Sequence, residues 1–208
     1  MTAVSFTGPR RGADRAVLLA HGAGSDRHAA ALVVTAEALA AAGVPALRFD
    51  FPYRIAGRRA PDRAPVLATA VEEAATDLAR RTGLPRERLV LGGRSMGGRY
   101  CSMAAAAGGA LGCVLLGYPL HPPGRPEKAR VAHFGGLVMP VLFAHGTRDP
   151  FGSPDEVREA VEAVPGPVAF HWVETGDHGF RPLKASGRTV DDEIAAVAGA
   201  VVAFVTTC

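Results

Sequence analysis

Gly93-Arg94-Ser95-Met96-Gly97 sets a serine between two glycines, after the apolar run 89–91 and before an alanine-rich stretch. An apolar strand, a glycine-flanked serine and a helix in that order fit the G-x-S-x-G turn, which presents a hydroxyl on strained backbone. The glycines have a steric task, because side chains two positions to either side of such a turn would collide. A neutral serine hydroxyl is a weak nucleophile and needs a base within hydrogen-bond reach. His178, in the glycine-flanked stretch 176–180, is the expected base. Asp149, before Pro150, is the expected acid, which would hold the histidine tautomer and stabilise the imidazolium.

Other residues compete for these roles. Asp177 adjoins His178, but neighbouring side chains in a loop seldom face each other. Asp155 falls in the first turn of a helix, where a carboxylate is favourable in any case, and Asp50 follows an earlier strand. His21 opens the loop 21–26 and is expected to position it or to line the pocket. His145 stands directly after a strand but before the acid, His171 falls inside a strand, and His28 and His133 are placed on helices. His121 lies in a loop where it could touch substrate.

Acyl chemistry also needs backbone N–H groups aimed at the developing negative charge. Met96, in the first turn of the helix after the serine, is one expected donor. Ala23 in His21-Gly22-Ala23-Gly24 is the second, with Gly24 as the alternative. Phe51, Tyr53 and Tyr118 join His21 and His121 as expected pocket residues. Arg54, Arg58, Arg59 and Arg63 share one loop, which reads as a solvated surface or, more sharply, as a rim for a carboxylate or phosphate. No metal is expected, since the His, Cys and Asp residues lack ligand spacing. No dinucleotide site is expected either, since no G-x-G-x-x-G follows a strand with a ribose-binding acid.

The elements that must position these groups are legible as apolar runs. Residues 16–20, 45–51, 89–91, 111–116 and 140–144 read as buried strands, 168–173 as an alternating strand and 3–7 as a short edge strand. Helices are expected over 27–42, 66–81, 96–107, 127–134, 154–164 and 191–205, with Ser153 capping one of them. The helix at 66–81 is read with acidic residues early and basic residues late, and 52–65 as an exposed loop. This alternation implies a doubly wound, mostly parallel sheet with helices on both faces. Ser95, the 21–26 loop, Asp149 and His178 each follow a strand, at the sheet edge where such folds bind ligands.

Composition bounds the setting. The chain has 208 residues, 48% of them hydrophobic, enough for one domain with a core. The formal charge of +3 is modest, and aromatic residues, at 6%, are too sparse for a base-stacking surface, so nucleic acid is not an expected partner. No apolar run approaches the roughly 18 residues of a membrane span. Residues 1–6 lack the pattern of a secretory signal. Cys101, Cys113 and Cys208 are an odd number without metal spacing, which fits a reducing cytoplasm.

Several stretches taken together resemble the α/β-hydrolase superfamily over nearly the whole chain. They are Leu-Leu-Ala-His-Gly-Ala-Gly at 18–24, Arg-Phe-Asp-Phe-Pro-Tyr at 48–53, Gly-Gly-Arg-Ser-Met-Gly-Gly-Arg at 92–99, Gly-Tyr-Pro-Leu-His-Pro-Pro-Gly at 117–124, His-Gly-Thr-Arg-Asp-Pro-Phe-Gly at 145–152 and Gly-Asp-His-Gly-Phe at 176–180. They are most similar to a branch of small, lidless proteins near the dienelactone hydrolases, often called the testis-expressed/chromatin-complex-subunit-like hydrolase family. The resemblance implies a minimal α/β-hydrolase fold over residues 1–208, with Ser95, Asp149 and His178 as a triad. It also implies cleavage of small esters or related acyl substrates without a cofactor. Dienelactone hydrolases carry a cysteine where Ser95 stands, so their substrate does not transfer. Residues 118–139 are too few for a full lid domain, which implies a shallow, open site. The alternative is a non-catalytic interaction module, which would have no need to keep three such groups in register.

Overall fold

A computed structural model describes residues 3–208; Met1 and Thr2, which begin the segment weighed for a signal, lie outside them. The apolar runs become strands β1 (Val4–Thr7), β2 (Ala16–Ala20), β3 (Ala46–Phe49), β4 (Leu89–Arg94), β5 (Gly112–Leu116), β6 (Val141–Gly146) and β7 (Val168–Val173). The helices are α1 (Ala30–Ala41), α2 (Pro52–Ile55), α3 (Ala64–Thr82), α4 (Met96–Gly108), α5 (Pro154–Ala160) and α6 (Val190–Thr207). The strands form one sheet in the order β1-β3-β2-β4-β5-β6-β7. Every neighbouring pair is parallel except β1 with β3. This is the doubly wound architecture expected, in the form of an α/β-hydrolase fold.

Successive strand residues point to opposite faces of a sheet. Val17, Leu19, Val90 and Val114 pack beneath α1 and α6, while Leu18, Leu91, Leu115 and Phe49 pack beneath α3 and α4. Cover on both faces is why the central strands read as unbroken apolar runs. Each fully buried side chain of this kind contributes about 1.5–3 kcal/mol. The strand order reverses between β2 and β4. At such a switch point the connections diverge and leave a crevice at the strands' carboxyl ends. Ala20 pairs with Gly93, so the loop after β2 and the turn after β4 start side by side.

The structure corrects several expectations. The stretch 52–65 is not all exposed loop: Pro52 opens the one-turn α2, which buries Tyr53. Residues 127–134 form no continuous helix, but two single 3-10 turns, Pro126–Lys128 and Phe134–Gly136, because Pro126 and the Gly135-Gly136 pair oppose a longer one. α3 begins at Ala64 and has no acid in its first turn; only its basic end, Arg80 and Arg81, matches the helix dipole. α1 begins at Ala30, which leaves His28 in a turn, and His133 also lies in a turn. His145 lies within β6. Ser153 caps α5 as expected, in a reciprocal box with Glu156. Among the described residues no helix is long and apolar enough to cross a membrane.

The contact between β2 and α4 is testable. A Cβ on Gly97 would collide with the Ala20 carbonyl and approach the His21 carbonyl oxygen to 2.6 Å. Gly97→Ala is expected to cost about 2 kcal/mol or more, read as a lower urea midpoint at unchanged m. An unchanged midpoint would contradict so close an approach.

Candidate active site

Ser95 links β4 to α4 with φ +51° and ψ −117°. A non-glycine residue there stores about 1–3 kcal/mol of strain, which the surroundings must hold in place. The Ser95 N–H donates to the Leu116 carbonyl at 2.9 Å, tying the turn to β5. A Cβ on Gly93 would collide with the Ala20 carbonyl, so the serine turn rests directly on β2.

The loop after β7 brings His178 to this serine. His178 Nε2 lies 2.9 Å from Ser95 Oγ, and Nδ1 lies 2.7 Å from Asp149 Oδ2. With Nδ1–H donating to the carboxylate, Nε2 is left as the acceptor for the serine proton. Asp149 is buried in the turn after β6, where its other oxygen accepts the Phe151 N–H at 2.9 Å. The Phe151 ring packs on the imidazole, with centroids 4.3 Å apart. The competing acids are engaged elsewhere. Asp177 accepts the N–H groups of Gly179 and Arg181 and so shapes its own loop. Asp155 pairs with Arg158, and Asp50 holds Arg27.

The loop 21–26 after β2 is fixed from below. His21 donates from Nδ1 to the Gly22 carbonyl at 2.8 Å and accepts the Phe51 N–H at Nε2, at 3.1 Å. Both bonds require the neutral ring, and burial lowers its pKa from the ordinary value. The Gly24 N–H is directed at the Tyr53 hydroxyl, at 3.3 Å. The N–H groups of Ala23 and Met96 have no partner among the described residues, and both residues line the cavity that holds Ser95. Met96 opens α4, whose N-terminus adds positive potential at this point.

Two supporting residues had no separate signal in the sequence. Arg94, the variable residue of G-x-S-x-G, donates to the Leu116 carbonyl at 3.2 Å and to the His178 carbonyl, and stacks over Phe180 at 4.9 Å. It thereby joins the nucleophile strand to the histidine loop; Phe180 in that loop has a positive φ of 63°. His145 donates from Nε2 to the Gly152 carbonyl at 2.8 Å and braces the turn that carries Asp149. Burial lowers its pKa, which keeps it neutral 3.6 Å from that carboxylate.

The cavity over Ser95 has a volume of about 340 Å³. It is lined by Ala23, Met96, Arg99, Arg130 and Phe151, with apolar walls from Leu67, Tyr100 and Pro119. None of the expected pocket residues reaches it. His21, Phe51 and Tyr53 are fully buried beneath it as an edge-packed aromatic group. Tyr118 is buried with its hydroxyl on the Arg130 carbonyl. His121 faces a separate cavity of about 470 Å³, beside Glu156, that contains none of Ser95, Asp149 or His178. Among the described residues no group of three or more His, Cys, Asp or Glu could hold a metal ion.

A family model described as an alpha/beta hydrolase domain matches residues 13–206, and the chain belongs to that family. Solved structures share the fold. An alpha-beta serine hydrolase homologue from Coxiella burnetii superposes with a TM-score of 0.74 at 15% identity, over 96% of this chain and 89% of its own. A dienelactone hydrolase from Anabaena variabilis gives 0.72 at 23% identity, over 96% and 88%. A lidless serine hydrolase from Xanthomonas campestris gives 0.68 at 19% identity, over 98% and 88%.

Replacing Arg94 tests the brace. Arg94→Met leaves the His178 carbonyl without its donor and takes one of two donors from the Leu116 carbonyl, an expected loss of about 1–3 kcal/mol in stability. The downfield His178 Nδ1–H resonance is expected to broaden as the loop loosens. A sharp resonance at unchanged stability would contradict the positioning role.

Proposed function

Starting from membership of the α/β-hydrolase family, we propose that the protein is a serine hydrolase that cleaves small esters or related acyl compounds. One observation carries this reading. It is the hydrogen-bond chain from Ser95 through His178 to buried Asp149, opening on a cavity with two unpaired backbone N–H groups.

In the reaction, Ser95 Oγ attacks the substrate carbonyl carbon as His178 Nε2 takes the hydroxyl proton. Asp149 holds the tautomer and stabilises the imidazolium. The N–H groups of Ala23 and Met96 receive the oxyanion. Collapse breaks the ester C–O bond, and His178 returns the proton to the departing alcohol. Water, giving its proton to His178, then attacks the acyl-enzyme and releases the acid, and Ser95 regains its proton.

A cavity of about 340 Å³, in a chain whose residues 118–139 form single 3-10 turns rather than a lid domain, suits short acyl groups rather than long-chain lipids. We read residues 1–208 as one domain of the lidless, dienelactone-hydrolase-like branch, within the testis-expressed/chromatin-complex-subunit-like family. Its partner is a small acyl substrate, without nucleic acid, membrane or cofactor. Three free thiols, two of them buried, support a reducing cytoplasmic setting. A non-catalytic module would call for His178 turned away from Ser95, and the 2.9 Å contact favours catalysis instead.

Steady-state kinetics on short nitrophenyl esters test the assignment. Ser95→Ala and Asp149→Asn are each expected to lower kcat by about 10³-fold or more, the second through loss of the tautomer. No turnover by the unaltered protein, or an active Ser95→Ala variant, would overturn it.

A further inference from the structure

The cavity over Ser95 is lined by two arginines, Arg99 and Arg130, that form no ion pair among the described residues. Arg99 lies four residues after Ser95 on α4, one helical turn along the same face. Its side chain makes no hydrogen bond among the described residues, and its Nε is buried without a partner. Its guanidinium lies over the Tyr100 ring, 5.4 Å from the centroid. Arg130 lines the same cavity, and its one side-chain hydrogen bond among the described residues is a long one, 3.3 Å to the Pro119 carbonyl. Neither forms an ion pair within 4.0 Å among the described residues. The one acid in the cavity wall among the described residues, Asp62, pairs with Arg58 through Oδ1 at 2.6 Å; its Oδ2 is buried without a hydrogen-bond partner, and no ion pair within 4.0 Å joins it to Arg99 or Arg130.

The two cations feel each other. Burial and then the charge of Arg99 lower the pKa of Arg130. The same two causes push His133, whose Nε2 is 2.8 Å from Ser102 Oγ, down to about 4. Two half-buried like charges repel, and an anion placed between them removes that cost. A guanidinium presents five N–H donors in a fork that matches a carboxylate.

We propose that Arg99 and Arg130 form an anion subsite, and that the substrate is an ester carrying a carboxylate close to its scissile carbonyl. This rests on the serine hydrolase reading and narrows its substrate class. Ser95 and Arg99 line one cavity of about 340 Å³, so a carboxylate held at Arg99 sits a few bonds from the carbonyl under attack. The exposed loop considered earlier as an anion rim is a poorer site. Arg58 is paired with Asp62 and Arg54 lies 3.6 Å from Asp26, so part of its charge is already met.

Hydrolysis of monomethyl succinate and of dimethyl succinate, followed by proton release, tests the subsite. The two share a skeleton and differ in one negative charge. The expected kcat/KM is about tenfold or more higher for the anion. In Arg99→Gln and Arg130→Gln that ratio falls toward one, and in the unaltered protein it shrinks with added salt. Calorimetry on Ser95→Ala gives a reading independent of turnover: succinate is expected to bind, and binding is lost when Arg99→Gln is added. A ratio at or below one, or no succinate binding to Ser95→Ala, overturns the subsite. If neither ester is hydrolysed, the hydrolase reading fails, and the succinate measurement still decides the subsite by itself.

Discussion

At the carboxyl end of β2, the Ala20 carbonyl occupies the space where side chains on Gly93 and Gly97 would lie. That close approach sets the spacing between the loop after β2 and the serine turn. It requires glycine on both sides of Ser95, and it lets the first turn of α4 run against β2. The strained serine backbone persists because the N–H to Leu116, the β2 contact and the helix that follows determine it from three sides. Ala23 belongs to the loop after β2 and Met96 to α4, yet both line one cavity because Ala20 and Gly93 share a register.

Around this junction, neutral buried imidazoles lock loops while the charge is kept at the site. His21 fixes the loop after β2, His145 fixes the turn bearing Asp149, and His133 bonds to Ser102 on α4. Burial lowers the pKa of all three. A protonated His145 would compete with His178 for Asp149; as a neutral ring it leaves that carboxylate to one cation. Arg94 adds a further tie without meeting a carboxylate, by donating to carbonyls on both sides of the site.

The sheet was legible because strands covered on both faces must be apolar at every position. The serine turn, the acid loop and the histidine loop were legible because each is a short polar segment directly after such a run. Burial around the site was harder to read. Phe51, Tyr53 and Tyr118 follow strand ends, as pocket residues would, but the chain folds them under the site, and α2 is too short to show a helical period. The roles of Arg94 and Arg99 depend on which carbonyls and acids lie across the fold, and linear spacing carries no such information. The arginine loop drew attention by its charge density, but part of that charge is paired, while in the cavity Arg99 and Arg130 form no ion pair among the described residues.

The central claim is that this geometry activates Ser95. A fluorophosphonate reacts with an activated serine and leaves a phosphonyl group on its oxygen. Trypsin would release Ser95–Arg99 as one peptide, cut after Arg94 and Arg99, so mass spectrometry can place the adduct. The account expects one adduct per chain, on that peptide, and none in His178→Ala. An unlabelled protein, or an adduct on another peptide such as the one carrying Ser102, would contradict it.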